Sequence, residues 1–485
     1  MPDTHSATKP ATEPPQQQKL YADHVKIQSR RISGTFRNLK WWAMGILLGI
    51  YYIAPWIRWD RGADAPDQAI LLDIAGRRAY FFFIEIWPQE VYYLTGILAF
   101  CAVGLFFVTA LLGRVWCGFT CPQTVWTDLY IWVERLVEGD RNARLKLDAA
   151  PMSLSKVYKR VLKHSIWMLI ALVTGGAWIF YFVDAPTAFM ELVTFQASEA
   201  VIGFIALFTF TTYLLAGWAR EQVCIYMCPW PRFQGAMFDE DTLVVTYEEW
   251  RGEPRGGARK GSDFDHRGHC VDCGLCVQVC PTGTDIRQGN QMSCIGCGLC
   301  IDACNTIMPK FGLPGNLITY DSVNNQLSRM RKQPEHFTFF RRRTFMYLVV
   351  LGIITAVMLA GLTTRSRLEI NMQRDRAPLF VTLSDGSIRN GYTYKILNME
   401  REAKTYELTL DGVEGATMTV IGVADKPVPT VTLQAKPDQV ATFKIYVRAD
   451  RAALEEKSED ITFVLRDKAT GEIAEQDTVF VGPGR

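Results

Sequence analysis

Five long apolar runs break up an otherwise mixed chain, at residues 41–57, 91–112, 165–183, 200–218 and 345–362. Each approaches the ~20 residues that cross a bilayer as a helix. Five such runs edged by Trp and Tyr are hard to hide in a soluble core, so five membrane-spanning helices are expected. Pro55 interrupts the end of the first run. Past the fifth run the pattern changes to alternation with period two, as in TYELTL (405–410), ATFKIYV (441–447) and DITFVL (460–465). The dipeptides Asp385-Gly386, Asn390-Gly391 and Asp411-Gly412 read as turns between strands. Residues 371–485 are therefore expected to form an all-β sandwich. The stretch YFFFIEIWPQE (80–90) is too short to span and too apolar to float free. It is expected to lie on the outer membrane surface or pack against the spans. Residues 1–20, rich in Pro, Gln and Thr, show no apolar period, and disorder is expected there.

Charge adds an orientation. Lys26, Arg30, Arg31, Arg37 and Lys40 precede the first run, the loop between the second and third runs is rich in Lys and Arg, and Arg341, Arg342 and Arg343 precede the fifth. Residues 184–199 contain neither Lys nor Arg. Positive loops stay on the cytoplasmic side, so the N-terminus is expected inside and the C-terminus outside. The loop 58–90, with four arginines, is a mild exception. Arg30-Arg31 resembles an export signal, but no small-residue cleavage site follows. A net charge of +2 over 485 residues implies no nucleic-acid partner.

The 13 cysteines cluster, with none after Cys304. CVDCGLCVQVCP (270–281) and CIGCGLCIDACN (294–305) each read C-x₂-C-x₂-C-x₃-C. In this rhythm three cysteines bind one cubane cluster and the fourth ligates the other. Two [4Fe–4S] clusters are expected, one on Cys270, Cys273, Cys276 and Cys304, the other on Cys294, Cys297, Cys300 and Cys280. Structural zinc would favour paired C-x₂-C units instead. Asn305 stands where the first motif has Pro281.

Four further cysteines form WCGFTCP (116–122) and VCIYMCP (223–229), each just after an apolar run. The i, i+4 spacing is expected to put each pair on one helix face. Arg114 and Arg220 lie upstream, where cationic charge would favour thiolate. If the two spans are neighbours, Cys117, Cys121, Cys224 and Cys228 face one another. Such a soft set suits Cu(I), or a dithiol relay; buried cysteines that merely fill space are the plainer alternative. Cys101, mid-run, is assigned no function. None of the six histidines lies inside an apolar run, although His164 stands at the edge of one, so no haem is expected. His266 and His269 adjoin the first cluster motif and are read as loop residues. No phosphate-binding glycine motif supports direct use of a nicotinamide or ATP.

The combination of spans, two C-x₃-C-P motifs, a double-cubane block and an outer β domain resembles the CcoG (FixG/RdxA) family of cytochrome c oxidase accessory proteins. DGSIRNGYTYKILN (385–398) resembles the opening of that family's C-terminal immunoglobulin-like domain. The resemblance implies a bacterial inner-membrane polyferredoxin that reduces Cu(II) to Cu(I) for assembly of cbb-type cytochrome c oxidase. Its implied partners are copper ions, copper chaperones, the oxidase or its assembly factors, and a cytoplasmic electron donor; a homodimer is allowed. Cys117, Cys121, Cys224 and Cys228 become the candidate catalytic or copper site. The expected organisation is a cytoplasmic segment (1–40), a four-helix membrane region (41–218), a cytoplasmic ferredoxin-like α+β domain (219–343), a fifth span (344–363) and a periplasmic immunoglobulin-like domain (371–485). A quinol dehydrogenase subunit serving a periplasmic reductase, and a non-catalytic copper scaffold, are the competing readings.

Overall fold

The computed structural model describes residues 26–62, 65–259, 261–364, 368–400, 402–437, 439–454 and 456–483. The disorder expected for residues 1–20 falls outside them. The chain divides into two compact units, Met1–Arg58 with Gln68–Ile354, and Trp59–Asp67 with Thr355–Arg485.

In the first unit, Pro88–Leu112, Leu154–Ile179 and Glu199–Ala219 are helices long and apolar enough to cross a membrane; Arg342–Thr363, which runs past the unit boundary, is a fourth. The remaining run belongs to a helix that starts earlier, at Thr35, and ends at Ile53 before a short 3₁₀ turn carrying Pro55. That helix is the exception among the five expected spans, because Arg37 and Lys40 are buried in its first turns. Asp302 explains the entry: its carboxylate accepts the backbone N–H groups of Phe36 (3.2 Å) and Arg37 (2.8 Å), which have no intrahelical partner. Both basic side chains pair with buried Asp128, Arg37 at 2.8 Å and Lys40 at 3.8 Å.

Of the two placements expected for YFFFIEIWPQE, the structure shows packing, with the stretch built into a small sheet. Its residues supply the end of Arg78–Phe81 and all of Ile84–Ile86, two strands of a three-stranded antiparallel sheet completed by Ile70–Asp73. The sheet meets the residues that follow the span Leu154–Ile179: Leu72 N–H donates to Tyr181 O (2.8 Å), and Gln68 Nε2, just before the first strand, donates to Phe180 O (2.6 Å).

The cysteine-rich segment is α+β. A two-stranded antiparallel ladder, Val244–Tyr247 with Ile318–Asp321, brackets two short helices, Leu275–Val279 and Leu299–Ile307. Each helix starts after a glycine with left-handed backbone, Gly274 at φ 63° and Gly298 at φ 71°, so the repeated C-G-L-C sequence folds as a repeated turn.

The second unit contains the expected sandwich. One sheet orders its strands Ala424–Val428, Thr417–Val420, Gln439–Ala449, Ile388–Asn398 and Leu368–Arg374, with Val381–Thr382 also pairing on Ile388–Asn398. The other runs Thr430–Ala435, Lys404–Asp411, Ser458–Asp467 and Ile473–Val481. Alternate residues meet between the sheets, where Tyr392 and Tyr394 pack on Phe463 at 5.5 and 5.8 Å between ring centroids. Asn390-Gly391 is not a turn; it lies inside a strand. There Asn390 donates to Val481 O (2.8 Å) and accepts from Val481 N (3.2 Å), tying the sheets together.

Candidate iron–sulfur and thiol site

Two cavities open in the cysteine-rich segment. One is lined by Cys270, Cys273, Cys276 and Cys304, the other by Cys280, Cys294, Cys297 and Cys300. The fourth cysteine of each motif thus crosses to the partner motif's cavity, as the spacing rule requires. All eight donors are soft thiols, and burial pushes Cys276 up to about 11 and Cys297 and Cys304 up to about 12. Such thiols stay protonated unless a cation displaces the proton, which coordinated iron does. The residues present therefore fit two cubane clusters. Among the described residues no three His, Cys, Asp or Glu side chains converge on one ion.

The helix in the first motif ends at Val279, with Cys280 extended ahead of Pro281. Asn305 lifts that restriction, and the second helix continues to Ile307. The Asn305 side chain also braces the following loop, donating to Asn316 Oδ1 (2.9 Å) and accepting from Asn316 N (2.7 Å). Cys273 is exposed, whereas Cys297 is buried. His269 packs edge-on against Phe264, a loop contact as expected.

The two C-x₃-C-P motifs adopt one shape. Trp116–Thr120 and Val223–Met227 are π-helical turns, closed by i→i−5 bonds from Cys121 N to Trp116 O and Cys228 N to Val223 O, both 2.8 Å. The second cysteine of each pair is extended, so the pairs do not share a regular helix face as expected. The prolines cause this, since they exclude helical backbone at the residue before them. Four residues before the first cysteine, the backbone turns to positive φ in both motifs, at Gly113 (56°) and Arg220 (43°). The motifs are neighbours. Gln123 Nε2 donates to Leu215 O (2.8 Å) and Arg220 O (3.1 Å), and Cys117 feels the charges of Cys121, Cys224 and Cys228.

The first motif rests on the loop of the more buried cavity. A Cβ on Gly118 would lie 3.0 Å from Cys297 Cα and 3.1 Å from Gly296 C, so this glycine permits backbone-to-backbone contact. Cys117 and Cys224 both pack on the apolar cluster that contains Cys297, Ile295 and Leu299.

Arg114 favours the Cys117 thiolate but is outweighed by burial, and Arg220 is turned away from Cys224. Arg114 Nη1 donates to Met292 O and Cys294 O, each at 2.6 Å, and holds that loop in place. Arg220 Nη2 donates to Glu134 Oε1 at 3.0 Å. Burial instead pushes both Cys117 and Cys224 up to about 12, and neighbouring thiols add to it. As a protonated thiol, Cys117 donates to Gln234 Oε1 (3.2 Å), and Gln234 is itself fully buried. Cys228 is exposed, and Cys101 is an exposed residue of its span.

Sequence reasoning missed Glu134. This carboxylate, wholly shielded from solvent, faces Arg144 (2.7 Å), Arg220 (3.0 Å), Lys163 (3.3 Å) and Lys26 (3.8 Å). Burial alone would raise its pKa, but Arg220, Lys163 and Arg144 together hold it well below the carboxylate range. Its amphipathic helix, Pro122–Glu138, carried a readable signal in WVERLVEGD, where acids recur on the buried side.

Comparison with known proteins agrees with this architecture. A family model described as a 4Fe-4S dicluster domain matches residues 219–323, and one described as a 4Fe-4S binding domain matches 94–139. A third, the IG-like fold at the C-terminal of FixG, matches 358–483. The nitrogen fixation protein FixG of Rhizobium meliloti is 47% identical over 481 residues, covering 93% of this chain and 92% of that protein. RdxB of Cereibacter sphaeroides is 46% identical over 475 residues, covering 97% and 98%, and RdxA of the same organism is 49% identical over 413, covering 84% and 87%. With spans, crossed cysteine cavities and the immunoglobulin-like sandwich all in place, the chain belongs to the FixG/RdxA family, also called CcoG, of iron–sulfur oxidoreductases.

Proposed function

We propose that this protein carries electrons through two [4Fe–4S] clusters to a thiol site at the membrane edge, where Cu(II) is reduced to Cu(I) for assembly of a cbb-type cytochrome c oxidase. The observation that carries the reading is the backbone contact of WCGFTCP on the Cys294–Cys297 loop at Gly118. In this reading Cys270, Cys273, Cys276 and Cys304 hold one cluster, and Cys280, Cys294, Cys297 and Cys300 hold the other. The clusters, when bound, supply single electrons, which suits a one-electron metal reduction.

The protein's own groups do the rest. Exposed Cys273 marks the side where a cytoplasmic donor approaches. Arg114 fixes the loop that meets the thiol motif. Cys228, exposed, is the first thiol copper meets, and Cys117, Cys121 and Cys224 are further soft thiols nearby, offered to successive ions and not as one closed site, a chemistry that favours Cu(I). Copper binding displaces the protons that burial keeps on Cys117 and Cys224. The Lys and Arg distribution orients the chain in a bacterial inner membrane, with the cluster domain cytoplasmic and the β sandwich periplasmic, free to dock oxidase subunits or a copper chaperone.

The test is anaerobic mixing of dithionite-reduced, desalted protein with Cu(II), read by a Cu(I)-specific chromophore and by cluster absorbance. Stoichiometric Cu(I) with cluster reoxidation is expected. Replacing Cys117 and Cys224 together by Ser should abolish it while cluster content stays intact. Unchanged copper reduction in that variant overturns the thiol-site assignment.

A further inference from the structure

Arg114 is buried, and among the described residues no Asp or Glu pairs with it. Neutral groups alone hold its guanidinium: Met292 O and Cys294 O at 2.6 Å, Gln291 O and Pro231 O at 3.2 Å, and the Met292 sulfur at 3.4 Å. The charge is thus fixed against the backbone of Cys294, and it acts on the Cys117 and Cys294 sulfurs. A buried arginine is ordinarily paired, because stripping water from an isolated charge is costly. Here the groups of opposite charge within its reach are the thiolates that ligate iron, Cys294 among them.

The other cluster cavity is built differently. Arg287 lines it, but that arginine is paired twice, with Asp285 at 2.8 Å and with Asp272, which lines the same cavity. Arg251, whose charge reaches Cys304, is paired with Glu248 at 2.9 Å. Lys40, a second cation acting on Cys297, shares Asp128 with Arg37. Of these four cations only Arg114 lacks a carboxylate.

Burial works against the cluster beneath the thiol motif. Reduction adds one negative charge, and a site around buried Cys297 resists that charge more than one beside exposed Cys273. On burial alone an electron would stay on the exposed side, away from WCGFTCP. A fixed positive charge inside the protein opposes this, because it attracts the added charge strongly where the dielectric is low.

We propose that Arg114 raises the reduction potential of the cluster on Cys280, Cys294, Cys297 and Cys300 above that of its neighbour, so that an electron from a one-electron donor comes to rest beneath the first thiol motif. In that transfer the cluster on Cys270, Cys273, Cys276 and Cys304 is oxidised by one electron and the buried cluster is reduced by one, with no bond made or broken. The inference rests on the two-cluster reading above. It fails separately from it, because copper reduction by dithionite-reduced protein is blind to the order of the two potentials.

The experiment is a potentiometric dithionite titration of the full-length, cluster-loaded protein, followed by electron paramagnetic resonance. Two one-electron transitions are expected in the parent. Arg114→Gln should lower the higher one by at least tenfold in its equilibrium constant, about 59 mV, and leave the other in place. Arg114→Lys, which keeps the charge, should recover at least half of that shift. Met292→Glu tests the charge with the arginine intact, since Met292 is 57% exposed and its sulfur already faces Arg114 Nη2. A carboxylate there pairs with the guanidinium and should lower the same transition, whereas uncharged Met292→Gln should not. Each variant is accepted only if its iron and sulfide content match the parent, and Met292→Glu decides the matter if the arginine variants lose a cluster. Coincident transitions in the parent overturn the inference, as do unchanged potentials in every accepted variant. Equal lowering of both transitions, lowering of the lower one alone, or equal effects of Met292→Glu and Met292→Gln also overturn it.

Discussion

Glu134→Gln removes one negative charge and almost no volume from a cluster in which three of four cations are buried. Arg144, Lys163 and Arg220 have side chains 1%, 2% and 5% exposed, and all three turn to this carboxylate. Removing one partner of a buried ion pair typically costs about 3–5 kcal/mol, because the remaining charge stays buried and unpaired. Lys163 keeps a second partner in buried Glu138 (2.9 Å), so Arg144 and Arg220 are the cations left without a carboxylate. At roughly 2–4 °C per kcal/mol for a large domain, the melting midpoint should fall by about 6–20 °C. The assay is thermal unfolding in detergent at fixed scan rate, followed by intrinsic fluorescence. The pH dependence gives a second check. The folded-state pKa of Glu134 is depressed, so its contribution is present above the unfolded value and is lost as pH falls toward the folded one. The gap between parent and variant should be constant from pH 6 to 8 and shrink below about pH 4. A variant melting within 1 °C of the parent at pH 7 would refute the reasoning. The effect should also reach the thiol motif, since Arg220 sits at φ 43° and is anchored by Glu134.

Three further outcomes are expected. Gly118→Val should push the thiol motif off the Cys297 loop, costing about 1–3 kcal/mol through overpacking; copper reduction should slow and cluster retention decline on heating, whereas unchanged rates would show that the contact is incidental. Asn305→Pro should stop the second cluster helix early at a cost of about 3 kcal/mol and displace Cys304; selective loss of one cluster, counted by iron analysis and electron paramagnetic resonance, is the readout. Alkylation of Cys117 and Cys224 by iodoacetamide should stay slow through pH 9 and accelerate only toward pH 12, because both thiols are pushed up to about 12. Mass spectrometry of the labelled peptides checks this, and rapid labelling at pH 7 would mean that the thiols are activated after all.

Much of this architecture was legible along the chain. A run such as 91–112 becomes Val91–Leu112 because an apolar helix satisfies its own backbone wherever it is placed. The crossed cysteine sets follow from spacing alone, since three close cysteines cannot reach the fourth corner of one cubane. The β sandwich was readable from its period-two alternation. The failures have a common cause. Asn390-Gly391 has the composition of a turn, yet a cross-sheet bond to Val481 keeps it in a strand. The packing of YFFFIEIWPQE was expected, but its sheet was not read, because the partner strand, Ile70–Asp73, lies in a stretch whose pattern was too short to count.

Arg114 and Arg220 mark the division most clearly. Sequence placed each a few residues from a thiol, and proximity along the chain suggested activation. Folding sends one guanidinium to the carbonyls of the Cys294 loop and the other to Glu134, and desolvation then decides the state of both thiols. The sequence by itself determined which residues can ligate metal and which segments seek lipid, because ligand chemistry and hydrophobicity are properties of local composition. Only the tertiary structure decided that the twin motifs share one π-turn and that WCGFTCP lies on a cluster loop, because these depend on which distant segments exclude water together.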